Sequence, residues 1–242
     1  MKLLVDIGNT RLKWALWDGK DLRFGAAEAH ADFSAAAWQE SPAVDSVWVA
    51  SVASAALNER VDAAVRRRFG RAARFVQTRA HACGVHNAYP QPERLGVDRF
   101  LALVAAHAQA REPTIVVSCG TALTLDALAA DGTHLGGLIA ASPDLALAAL
   151  RGGTANLGAA AAGRIVEFAD NTADAMESGS WLAAAALAER FVERTAKRLG
   201  SAAALVLTGG GAARLSDLLP TPHRIDAELV LRGLAALADD DA

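Results

Sequence analysis

A carboxylate, Asp6, stands just ahead of Gly8, Asn9 and Thr10 inside an otherwise apolar run from Leu3 to Leu16. A glycine between two strands lets the backbone approach a ligand closely, and the free amides of such a turn form a concavity for phosphate oxygens. Asn9 and Thr10 add amide and hydroxyl donors, and Asp6 at the strand end is the ligand type preferred by a hard Mg²⁺ ion carried on a nucleotide. Taken alone, the turn is equally a bare β-turn. The pattern recurs, however. Ile115 to Cys119 leads into Gly120 and Thr121, and the Asp18-Gly19 turn that follows the first copy has its counterpart in Asp131-Gly132. Two copies suggest two loops that grip a polyphosphate from opposite sides. A third turn, Thr208-Gly209-Gly210-Gly211, follows an apolar strand and opens a helix, which suits close contact with a nucleotide and is also how an ordinary helix entry looks.

Between the two copies lies Leu95-Gly96-Val97-Asp98-Arg99, at the start of a helical pattern. Phosphoryl transfer to an alcohol needs a carboxylate to receive or orient the hydroxyl proton, and a nearby cation can hold an anionic substrate group. Asp98 and Arg99 supply both. The bland alternative is an acid favoured by the helix dipole beside a surface arginine.

The elements that must position these groups follow from periodicity. Alternating Leu12, Trp14 and Leu16 make the opening run a strand, glycine turn and strand, and Leu22 to Phe24 begin a third strand beyond Asp18-Gly19. A strand at Val47 to Ala50, a helix carrying Leu57, Val61, Ala64 and Val65, a short strand near Phe75 and an irregular segment with Pro90 and Pro92 come next. A helix from Val97 to Ala110 then ends in a break at Glu112-Pro113. The second copy is followed by a glycine-rich strand end from Gly136 to Ser142 and a helix from Asp144 to Leu150. A small-residue loop through Gly163, a long helix from Thr172 to Leu199, a strand from Ala204 to Leu207 and a last helix from Asp226 complete the chain. Duplication of one supersecondary unit is the simplest explanation, with an α/β fold divided into subdomains 1–113 and 114–242.

A chain of 242 residues suits two compact units, and although 52% of it is hydrophobic there is no uninterrupted apolar run of about 18 residues that could span a bilayer. Asp6 and Gly8 interrupt the N-terminus before a signal peptide's apolar region of about 7 to 15 residues could form, so the cytoplasm is the expected location. Cys83 and Cys119 have no CxxC partner, and His30, His81, His86, His107, His134 and His223 show no metal-ligand spacing. A net charge of −3 offers no general attraction to a polyanion. The one basic stretch, Arg66, Arg67, Arg68, Arg71 and Arg74, lies at a helix C-terminus, where cations complement the dipole; a solvated structural face is favoured there over a nucleic-acid patch.

Taken in order, Asp6-Ile7-Gly8-Asn9-Thr10, Asn87-Ala88-Tyr89-Pro90, Gly96-Val97-Asp98-Arg99, Gly120-Thr121-Ala122-Leu123-Thr124, Gly136-Gly137 and Asn171-Thr172 resemble the motifs of the type III pantothenate kinases across nearly the whole chain. The resemblance implies the actin-like ATPase (ribonuclease H-like) fold and transfer of the ATP γ-phosphate to the hydroxyl of pantothenate, the first step toward coenzyme A, with Mg²⁺ and a monovalent cation, K⁺ or NH₄⁺. Asp98 would be the base. By matching position, Asp6, Ile7, Gly8, Asn9, Thr10, Arg11, Leu12, Lys13 and Thr121 would line the ATP phosphates, while Tyr89, Gly96, Val97, Asp98, Arg99 and Thr172 would contact pantothenate. The resemblance further implies a homodimer in which Thr172 reaches the partner's site; a plain helix cap by Asn171-Thr172 is the alternative. Two departures stand out. Ser118 occupies the position where the family carries a cation-binding aspartate, and Gly136-Gly137-Leu138-Ile139-Ala140-Ala141-Ser142 lacks the proline and final glycine of the family's GGxIxPG segment. The duplicated turns alone would also fit another actin-like phosphotransferase acting on a sugar or polyphosphate, or a noncatalytic regulatory protein on the same fold.

Overall fold

The computed structural model describes residues 1–34, 38–153 and 163–241. The part of the expected small-residue loop that covers 154–162 lies outside the described residues. Two compact units emerge: Met1–Arg111 with Asp131–His134 and Glu228–Ala242, and Glu112–Ala130 with Leu135–Ala227. The sequence boundary at 113/114 runs between the two sheets. The last helix returns to the first unit, because its apolar face is buried there.

The first unit is built on a sheet of order β3-β2-β1-β4-β5, with β1 Lys2–Ile7, β2 Arg11–Trp17, β3 Leu22–Ala29, β4 Ser46–Ser51 and β5 Arg74–Phe75. The first three strands are antiparallel, whereas β4 and β5 run parallel to β1. Alternation decides the two faces. Leu3, Val5 and Ile7 join Val47 and Val49 in a buried cluster with Leu57, Val61 and Val65 of α1 (Ala55–Phe69). Each such side chain stabilises the fold by about 1.5–3 kcal/mol relative to exposure. Ser54 caps α1 by accepting from Leu57 N at 3.4 Å, and Gly70 ends it at φ 66°. The basic stretch at this end is engaged within the unit. Arg66 pairs with Asp62, Arg68 donates to the carbonyls of Trp38 and Ser41, and the Arg74 guanidinium lies 5.2 Å from the Trp48 ring.

Also in this unit, α2 (Val97–Gln109) packs on α6 (Leu229–Asp240) so closely that a Cβ on Gly233 would stand 1.9 Å from the Leu101 carbonyl oxygen. Only glycine permits that approach. A two-residue pair of strands, β6 His81–Ala82 and β7 Val85–His86, precedes the segment carrying Tyr89; neither strand is long enough to leave a periodic signal in the sequence.

The second unit repeats the topology as β10-β9-β8-β11-β12, with β8 Thr114–Cys119, β9 Ala122–Leu128, β10 His134–Ala141, β11 Ala204–Thr208 and β12 His223–Ile225. Again β8 and β9 are antiparallel, while β11 runs parallel to β8 and β12. Ile115, Val117, Cys119, Leu123 and Leu125 form one core with Trp181, Ala184 and Ala188 of α4 (Thr172–Leu199) and Leu215 of α5 (Ala212–Ser216). Between β10 and α4 stands α3 (Pro143–Gly153). Asn171 is the N-cap of α4, accepting from Asp174 N at 3.0 Å, and Asp174 in turn accepts from Arg164 N at 2.7 Å and from the Asn171 amide at 3.0 Å. Those donors hold the Asp174 carboxyl below the usual carboxylate range. The helix expected from Asp226 begins at Leu229, after the short strand β12 that sequence reading missed.

Candidate active site

In the first unit the β1–β2 hairpin closes through Gly8, whose N–H donates to Arg11 O at 3.0 Å, leaving Asn9 and Thr10 exposed at the tip. Ile7 and Leu12 flank it with side chains buried in the core, so what they present toward the turn is backbone. Asp6 faces Lys13 directly across the ladder. Its carboxyl is pushed up to about 7, first by burial and then by the negative charge of Asp98; Lys13 opposes the shift and Glu228 adds to it. The start of α2 is therefore electrically close to the end of β1. Asp98 and Glu228, distant from Asp6 in sequence, are thus near enough in this unit for their charges to act on it, as is Lys13.

Asp98 is half-buried in the first turn of α2, where its Oδ1 accepts from Arg99 N at 2.8 Å. Gly96 precedes the helix, and a Cβ there would stand 2.6 Å from Asp98 Oδ1. The glycine leaves the carboxylate open on that side. Val97 and Arg99 are buried, and the Arg99 guanidinium donates through Nη1 to the Tyr89 hydroxyl at 3.2 Å while lying 5.9 Å from the ring centroid. Tyr89 is in turn held from behind. Its ring stacks on His134 at 6.2 Å with an interplanar angle of 12°, His134 Nδ1 accepts from Ala88 N at 3.4 Å, and Asn87 Oδ1 accepts from Tyr89 N at 2.9 Å. The result is a guanidinium–phenol pair on the residue that follows the Asp98 carboxylate. Such an arrangement can hold an anionic, hydroxyl-bearing molecule while a carboxylate waits for the hydroxyl proton.

The second unit carries its own turn. Gly120 N donates to Ala122 O at 3.0 Å, so this hairpin is one residue tighter than the first, and Thr121 is exposed at its tip. Ser118 faces Thr124 across the β8–β9 ladder, a pair of neutral hydroxyls. The third glycine turn lies against this one: Gly211 N donates to Cys119 O at 2.8 Å, and Gly209, at φ 87°, has no room for a Cβ, which would stand 2.5 Å from the same oxygen. Ser142, at the end of the segment that departs from the GGxIxPG pattern, is buried and bonds to Thr121 O. Thr172 is exposed at the first position of α4, beside the Asn171 cap.

The first unit thus gathers Asp6, Lys13, Gly8 to Thr10, Tyr89 and Gly96 to Arg99, and the second holds Ser118, Thr121 and Thr172. Sequence reading passed over His134 and Glu228. A histidine without metal spacing gives no hint that its ring will stack on Tyr89, and Glu228 lies just beyond a missed strand. Both cysteines are protonated thiols pushed up to about 11, chiefly by burial.

Comparisons with known proteins bear on the family and the fold. The family model described as type III pantothenate kinase matches residues 2–194. A type III pantothenate kinase of Xanthomonas campestris pv. campestris (strain 8004) is 45% identical over 99% of this chain and 98% of its own length. One from Chromobacterium violaceum is 42% identical over 99% of this chain and 100% of its own length. Among solved structures, a protein described as a Baf family transcriptional activator from Campylobacter jejuni aligns with a TM-score of 0.66 at 19% identity, covering 99% of this chain and 98% of that one. A ROK family glucokinase from Streptomyces griseus aligns with a TM-score of 0.50 at 12% identity, covering 98% of both chains. These structural likenesses concern the fold, which is that of the actin-like ATPases and sugar kinases. On the family model and the full-length relatives together, the chain belongs to the type III pantothenate kinase family.

Proposed function

We propose that Asp98 is the general base of an ATP-dependent pantothenate kinase whose alcohol substrate lies along Asp98, Arg99 and Tyr89. The reaction follows from family membership: the chain transfers the γ-phosphate of ATP to pantothenate, the first step of coenzyme A biosynthesis. The single observation that carries the residue assignment is the Arg99–Tyr89 bond beside the Asp98 carboxylate. Arg99 takes the pantothenate carboxylate by charge-assisted hydrogen bonding, and Asp98 accepts the proton of the hydroxyl as its oxygen bonds to the γ-phosphorus and the bond to ADP breaks. Asp6, Gly8 to Thr10 and Lys13 serve the ATP phosphates, and Thr121 is assigned to the same ligand by its motif alone.

Asp6 fits one carboxylate contact to Mg²⁺ carried by the nucleotide: burial first, and then the charge of Asp98, push its carboxyl up to about 7, and a nearby cation would favour the ionised form. Among the described residues no group of three or more His, Cys, Asp or Glu could hold a metal by protein ligands alone, so phosphate oxygens and water would complete the shell. Bound there, the ion would offset charge on the β- and γ-phosphates. Ser118 and Thr124 offer neutral oxygens to K⁺ or NH₄⁺, a weaker donor set than a carboxylate.

A homodimer sharing its sites through Thr172 is supported by several exposed apolar side chains in the second unit. Ile139 is 65% exposed and Phe168 95%, with Leu138, Leu145 and Leu150 also open to solvent. We place the reaction in the cytoplasm, where ATP is supplied; no helix among the described residues is long and apolar enough to cross a membrane. The test of the function is ATP-dependent phosphorylation of pantothenate by the purified protein, with sugars and polyphosphate as controls. Turnover of a sugar in place of pantothenate would overturn it.

A further inference from the structure

The structure assigns a positioning role to Ser142, which holds the second glycine turn in shape for the nucleotide. Ser142 lies between β10 and α3 and is 1% exposed. Its hydroxyl makes two bonds of opposite sense. Oγ accepts from Leu145 N at 3.2 Å, which caps the first turn of α3, and donates to Thr121 O at 2.9 Å. The backbone of the same residue starts the helix ladder, with Ala146 N donating to Ser142 O at 2.8 Å. Because an amide can only donate, the single hydroxyl proton is committed to the Thr121 carbonyl. A planar peptide held at its carbonyl is held as a whole, so this bond fixes the Thr121–Ala122 plane at the tip of the hairpin. The tip is also closed by the bond from Gly120 N to Ala122 O.

Helix capping requires an acceptor and nothing more. The second bond, to a residue outside the helix, is what capping leaves unexplained. It ties an exposed loop to a buried anchor, the arrangement that keeps a binding group in its productive geometry.

This inference rests on the reading that the Gly120–Thr121 turn contacts ATP, and the experiment separates the two. Michaelis constants for ATP and for pantothenate are measured for Ser142→Ala, Ser142→Thr and Gly120→Val, alongside thermal melts. Gly120→Val tests the reading: a Cβ at Gly120 meets nothing closer than Ala122 O at 3.9 Å, so there is room for the first carbon of the new side chain, its branches would obstruct the turn, and the melt checks that the variant folds. The expected result is an ATP KM raised about 5- to 10-fold in Ser142→Ala, a pantothenate KM unchanged within about twofold, and recovery in Ser142→Thr, in keeping with loss of one hydrogen bond. A lower melting temperature in Ser142→Ala with an unchanged ATP KM, while Gly120→Val raises it, would reduce Ser142 to a helix cap and leave the reading intact. An ATP KM unmoved in both variants would overturn the reading and the inference together.

Discussion

Asp6 and Ser118 occupy the same station in the two copies of the hairpin: each is the penultimate residue of its first strand, and they face Lys13 and Thr124 respectively across the ladder. One copy therefore sets a carboxyl opposite a lysine and the other sets two neutral hydroxyls opposite each other. A carboxylate would attract a monovalent cation at 4 Å by about 4 kcal/mol at an effective dielectric of 20, and Ser118 lacks that contribution. Activation by K⁺ or NH₄⁺ is expected to survive with weak affinity and to tighten in Ser118→Asp. Initial rates against KCl, balanced with Na⁺ at constant ionic strength, check it; tight activation of the wild type with no shift in the variant would count against the role of this position.

Asp6 makes stability depend on pH. Its folded pKa of about 7 lies above the ordinary value near 4, so the folded state keeps a proton that the unfolded chain releases, and stability falls as pH rises between those values. Discounted by half for partial solvent access, the effect is about 2 kcal/mol. Without nucleotide, Asp6→Asn is expected to melt about 4 to 8 °C above the wild type at pH 8, with the gap closing toward pH 4. Equal pH dependence in both proteins would show that Asp6 is ionised in the fold at neutral pH.

The Arg99–Tyr89 pair predicts a split between substrates. Tyr89→Phe removes the phenolic acceptor and should raise the pantothenate KM about 3- to 10-fold, and Arg99→Lys, which loses the planar fork, about 10- to 100-fold. ATP KM should stay within about twofold in both. Steady-state kinetics with each substrate varied in turn would reveal the opposite split if the pair served the nucleotide instead.

Much of this architecture was legible in the sequence because duplication repeats a signal. Gly8 and Gly120, and the paired Asp-Gly turns, mark two hairpins, and alternation at Leu12, Trp14 and Leu16 marks the second strand of the first. Asp98 and Arg99 were legible by type and by their place at a helix start. What could not be read were contacts made by residues of unremarkable spacing: His134 behind Tyr89, Glu228 near Asp6, and the two bonds of Ser142. The return of α6 to the first unit was equally hidden, since an apolar helix face does not say which core it will cover.

Site sharing through Thr172 is testable by complementation. Thr172→Arg and Asp98→Asn should each be inactive alone. If the site joins Asp98 of one subunit to Thr172 of the other, subunit exchange should restore about a quarter of wild-type activity, because half of randomly formed dimers are hybrids with one intact site. A mixture that stays inactive after demonstrated exchange would place both residues in the same subunit's site.

The central claim is that Asp98 takes the hydroxyl proton during phosphoryl transfer, and the most direct measurement is the turnover of Asp98→Asn with saturating ATP and pantothenate. Asparagine keeps an oxygen to accept from Arg99 N, so the fold and melting temperature should be retained. The account predicts a kcat lower by about 10²- to 10⁴-fold with both substrates still bound. A folded Asp98→Asn protein turning over near the wild-type rate would contradict it.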